Sequence, residues 1–152
     1  MALPNPRFEE SYARMFGHGI SMDESADDFF HAFYKNFLTD PEVAALFTDT
    51  DIDRQVRMLK KSLFQLVSYY VIGEPTAELD RLALVHKKQG VQSLMFDAWM
   101  QALLDTAAQF DDDFDEVTRL AWCWAFAPGI AYMRLKLGRA PDQAEDNVDA
   151  SD

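Results

Sequence analysis

At 152 residues, 49% hydrophobic and with a formal net charge of −12, the chain has the length of one domain and enough apolar side chains for a core. Fourteen Lys and Arg against 26 Asp and Glu disfavour nucleic acids and anionic membrane surfaces, which attract cationic proteins. The single cysteine, Cys123, rules out an internal disulfide, and without CxxC or CxxCH neither a thiolate zinc site nor covalently attached haem fits.

Helical periodicity runs through nearly all of the chain, and strand-type alternation is missing. The pattern predicts a first helix over about 7–16, stopped by Gly17, His18 and Gly19. Ser21 or Asp23 is the candidate cap of a second, which carries Phe29, Phe30, Phe33, Tyr34 and Phe37. Pro41, with Asp40 as cap, opens a short helix in PEVAALF that ends at Phe47. TDTDIDRQ starts a long helix whose acidic first turn suits the macrodipole. Its apolar stripe is Met58, Leu59, Leu63, Leu66, Val67 and Tyr70, and IGEP ends it. Pro75 or Thr76 begins a shorter helix through Leu79, Leu82, Val85 and His86, with Gly90 as its stop. SLMFDAWMQALLDTAAQF forms another, and DDDFDE separates it from a last helix over about 114–137. Pro128 falls inside that last helix and should kink it. Six or seven helices with short links predict an all-α globule over 1–138, followed by an acidic, disordered tail over 139–152. The opening MALPNPRFEE is unlike a signal peptide, and AWCWAFAPGIAYM is too short to span a bilayer. The expectation is a soluble, cytoplasmic protein.

His86 shares an apolar helix face with Leu79 and Leu82 at i, i+3 and i+7. On that segment alone two readings stay open: a half-buried histidine bonded to a carbonyl, and a metal ligand. His18 lies in a glycine turn, and His31 fits the outer face of its helix. Cys123, between two tryptophans, reads as a small buried hydrophobe, and Met58 as a core residue or, less favoured, a second ligand to a metal held by His86.

Taken in order, FYKNFL, DPEVAALF, Gln55, Leu59, LALVHKKQGV and the Ala98-Trp99 pair make the chain resemble the globin family over about 29–133. The resemblance is to bacterial single-domain globins and to the globin half of flavohaemoglobins. It implies a globin-like fold of six to eight helices around a pocket for haem b. It further implies His86 as the proximal iron ligand, Phe47 packed on the porphyrin face, Gln55 as the distal polar residue and Leu59 as the apolar residue over the iron. Leu82, Val91 and Phe96 are further expected cofactor contacts, and Arg57 and Lys87 the expected cations at its rim. The second imidazole nitrogen should donate to a carbonyl one turn back, near Leu82. On the second helix the distal position is open between two neighbours. The string FYKN favours Tyr34, whereas counting back from Pro41 favours Phe33.

The implied ligands are dioxygen and other diatomic gases. A hydrogen-bond donor beside a ligand that carries partial negative charge stabilises it by about 1.5–3 kcal/mol. That corresponds to roughly tenfold to a hundredfold in dissociation rate. Phe96 stands where flavohaemoglobins carry a tyrosine, and RLKLG where they carry a glutamate, so a carboxylate network that polarises the imidazole is not visible. The expectation is gas binding, for transport or sensing. The alternatives are nitric-oxide dioxygenation or weak peroxidase activity, fed by a separate reductase, and a haem-free globin-fold interaction module.

Overall fold

The computed structural model describes residues 4–17 and 26–138; the expectations placed on His18, Ser21, Asp23 and the 139–152 tail lie outside these. The described residues form seven helices and no strand: α1 Pro6–Phe16, α2 Ala26–Phe37, α3 Pro41–Ala45, α4 Ile52–Ile72, α5 Ala77–Lys88, α6 Ser93–Phe110 and α7 Glu116–Gly138.

Several helices start where a side chain accepts an N–H that the helix leaves without a partner. Asp40 accepts from the Glu42 amide (2.9 Å), Asp51 from Asp53 (3.0 Å), and Thr76 from Leu79 (3.0 Å). Asp115 does the same for Thr118 (2.8 Å), which is why α7 begins at Glu116, two residues later than the periodicity alone predicts. Gly73 and Gly90, with φ of 84° and 76°, reverse the chain after α4 and α5 in the left-handed region that glycine tolerates. α3 is only one turn, and Phe47 lies beyond it in the following turn.

The core is aromatic. Phe8, Trp122 and Phe126 meet in edge and stacked contacts, and Phe16, Phe29 and Phe30 form a second cluster between α1 and α2. α2 packs on α6, and α4 on α7, with α1 and α5 also against α7. Pro128 lies inside α7, which continues through it. The next residue, Gly129, meets Leu66 so closely that an added Cβ would stand 2.5 Å from Leu66 Cδ2. At the far end, Asp111 ties α1 to the α6–α7 corner, accepting from Ser11 Oγ (2.5 Å), Arg14 Nε (2.7 Å) and Arg14 Nη2 (2.8 Å). Two burial expectations need correction. Cys123 is half-buried, since its neighbour Trp122 takes the core position, and Met58 is 40% exposed because α4 turns it toward a cavity mouth. Among the described residues no helix is long and apolar enough to cross a membrane.

Candidate functional site

The helices leave a cavity of about 380 Å³, within the ~300–1,000 Å³ range of small-molecule and cofactor sites. α2 contributes Tyr34 and Phe37, the α3–α4 turn Leu46, Phe47 and Thr50, and α4 Gln55, Met58, Leu59, Ser62 and Leu66. α5 contributes Leu82, Val85 and His86; beyond it come Gln89 and Val91, then Met95, Phe96 and Trp99 of α6 and Ile130 and Met133 of α7. The wall is mainly aliphatic and aromatic, so water held there would find few partners.

His86 is the one imidazole in this wall. Its Nδ1 lies 2.8 Å from the Leu82 carbonyl oxygen. A carbonyl only accepts, so Nδ1 carries the proton and Nε2 keeps its lone pair. Burial lowers the His86 pKa, against a smaller upward push from the Leu82 bond, so the ring is neutral at pH 7. Phe96 lies 6.2 Å from it, centroid to centroid, with planes only 29° apart, and restricts its rotation. Of the two readings that His86 alone leaves open, the structure shows the first, a half-buried, carbonyl-bonded histidine, and it sets that residue in the wall of the cavity.

Tyr34 is buried, and its hydroxyl donates to the Gln55 backbone carbonyl at 3.3 Å. Burial raises its pKa, so the hydroxyl stays protonated and remains a donor. Phe33, fully buried, packs instead against Tyr34, Phe37 and Trp99, and the cavity wall at this point is Tyr34. Phe47, Leu59, Leu82, Val91 and Phe96 all line the cavity, as does Gln55. Arg57 and Lys87 do not; Arg57 is exposed, Lys87 is half-buried, and the polar wall residues besides His86, Gln55 and Tyr34 are Thr50, Ser62 and Gln89. His31 is exposed on α2, with Nδ1 2.7 Å from the Asp27 carbonyl and Nε2 3.0 Å from Asp53 Oδ1. Both ring nitrogens therefore face acceptors, and the hydrogen bond to Asp53, then that to Asp27, raises its pKa. Met95, Ile130 and Met133 carry no polar marker in the sequence. Their only signal is spacing, Met95 with Trp99 at i+4 and Ile130 with Met133 at i+3.

Among the described residues no three or more His, Cys, Asp or Glu side chains gather as a cage for a bare metal ion. One oriented imidazole in an apolar slot suits a metal that arrives with most of its donors, in a flat organic ligand that the wall can cover. The donor set therefore fits a haem.

No protein-family model matches the chain, and no curated protein matches it. Among solved structures the chain is similar to a crystal structure from Pseudomonas aeruginosa, described as a protein structurally highly homologous to a human hemoglobin. The TM-score is 0.74 at 30% sequence identity, covering 89% of this chain and 98% of that one.

Proposed function

The chain belongs to the globin family, and on that premise we propose that it binds haem b in this cavity, with His86 as the protein ligand of the iron, and takes up dioxygen and other diatomic gases reversibly. The observation that carries the reading is a single neutral imidazole, its Nδ1 committed to the Leu82 carbonyl, on the wall of a largely apolar cavity. Held by His86 and covered by the apolar wall, haem would supply an iron able to bind a diatomic gas.

The chain's own residues do the rest. The Leu82 carbonyl fixes the tautomer, so Nε2 presents its lone pair without a competing proton. Phe96 limits ring rotation, and Phe47, Leu82 and Val91 offer apolar surface that covers a flat ligand and excludes water. Leu59 keeps the gas side dry, while the Gln55 amide and the Tyr34 hydroxyl are the donors available to it. The Tyr34 bond to the Gln55 carbonyl is long at 3.3 Å, so the hydroxyl can turn toward a better acceptor at small cost. His86 donates to a carbonyl rather than a carboxylate, which leaves the ring without added anionic character. That favours reversible binding over peroxidase-type chemistry.

Absorption spectra of the purified chain after haem supplementation test the proposal. The expected outcome is a Soret band that shifts on reduction and with carbon monoxide. His86→Ala should fold, by circular dichroism, yet lose stable haem. No Soret band in the natural chain, or normal haem content in the variant, sinks the assignment.

A further inference from the structure

Six residues of α7 form a face outside the cavity wall and the buried core, and of them Trp124 touches that core, its ring edge-on to Tyr70 at 6.4 Å between centroids. Val117, Leu120, Trp124, Ala127, Ala131 and Leu135 are all exposed, Leu120 by 70% and Trp124 by 44%. At 100° per residue they fall within a band about 80° wide that runs about 27 Å along the helix. A continuous apolar band on an exposed face marks a contact surface, since scattered apolar residues would not align. The band contains no ionisable side chain, in a chain of net charge −12. Copies of such a chain repel one another unless they meet across an uncharged face.

We infer that this stripe binds a second copy of the chain, two α7 helices crossing antiparallel about a twofold axis near residue 125. Size and charge along the stripe both favour that occupant. Around the centre, the bulky residues Leu120 and Trp124 lie on one side and the small residues Ala127 and Ala131 on the other, with Val117 and Leu135 at the two ends of the stripe. Antiparallel pairing sets Trp124 over the partner's Ala127 and Leu120 over the partner's Ala131, large onto small. Glu116 and Arg134 are 18 residues apart, five full turns, so both border the same edge of the stripe. The twofold axis brings Glu116 of each copy beside Arg134 of the other, at both ends. Arg134 already holds Asp97 within its own copy, and its guanidinium has donors to spare. Trp124, next to the centre, is the residue type that most often anchors such contacts. One helix face covers less than the ~800 Å² per partner of a standard interface, so the dimer is reversible and concentration-dependent.

Sedimentation velocity of the full chain over a wide concentration range tests this. The expected result is a monomer–dimer equilibrium that Trp124→Glu and Leu120→Glu each abolish, with helix content unchanged. Glu116→Arg should weaken the dimer about tenfold, because symmetry removes two ion pairs at once. Adding Arg134→Glu to Glu116→Arg should restore it. A monomer at every concentration overturns the inference and leaves the stripe to another cover, such as residues 139–152. A dimer indifferent to Trp124→Glu and Leu120→Glu overturns it too, and failure of the double charge reversal to restore pairing overturns the antiparallel register.

Discussion

At the scale of single residues, the site depends on which of two adjacent aromatic side chains reaches the cavity. A helix turns 100° per residue, so Phe33 and Tyr34 cannot share a wall, and both are apolar enough to be buried. The sequence favours Tyr34 through FYKN, while the distance to Pro41 points to Phe33. The structure puts Phe33 under Trp99 and Tyr34 at the cavity, its hydroxyl on the Gln55 carbonyl. Tyr34→Phe keeps the ring contacts with Phe37 and Phe47 and deletes only that bond. It should cost about 0.5–1.5 kcal/mol by urea unfolding, as a neutral, partly buried hydrogen bond does. Under the haem reading it should also speed dioxygen release in stopped flow. An unchanged release rate would mean that the hydroxyl never serves the ligand. The His86–Leu82 bond is legible in the sequence, because position on an apolar face and a carbonyl one turn back are both local properties of a helix.

At the scale of elements, what the sequence makes legible is what each helix decides alone. Asp40, Asp51 and Thr76 cap by local bonds, and Gly73 and Gly90 end helices by their own backbone freedom. What it conceals is where two helices touch. Nothing local marks Leu66 as the partner of Gly129, or Ile130 and Met133 as cavity wall, because those contacts join α4 to α7 across more than sixty positions of sequence. Arg57 and Lys87 illustrate the same limit: sequence proximity to the site does not turn a side chain into its wall. Pro128 removes one helical hydrogen bond, and the glycine beside it lets α4 come close just there. Gly129→Ala should therefore destabilise. Overpacking costs about 1–3 kcal/mol, against a helix-propensity gain of about 1 kcal/mol. A net loss of up to about 2 kcal/mol in urea unfolding is expected. Because Leu66 also lines the cavity, under the haem reading the variant should alter haem affinity as well as stability, and a variant as stable as the natural chain would show that Leu66 swings aside freely.

At the scale of the whole molecule, the lock on α1 and the cavity are separate devices. Asp111, Ser11, Arg14 and Trp122 form one bonded group, with Trp122 Nε1 donating to Ser11 Oγ at 2.9 Å, and none of them lines the cavity. Burial pushes the Asp111 carboxyl up, but the bonds from Arg14, Ser11 and the Asp113 amide outweigh it, and the net shift is below the ordinary 3.8. The native state therefore binds fewer protons here than the unfolded chain. The stability this group supplies is complete above about 3.8 and is lost as pH falls through its lower folded value. Asp111→Ala strands Ser11 and the partly exposed Arg14, and should cost about 2–3 kcal/mol at neutral pH. Because the natural protein loses this contribution in acid and the variant never has it, the gap between their unfolding curves should close as pH falls below about 4. Under the haem reading, the spectrum of the haem-supplemented variant should stay unchanged while its stability drops. A gap that persists in strong acid would assign the loss to packing rather than to the carboxylate, and a disturbed spectrum would mean that the two ends of the bundle are coupled after all.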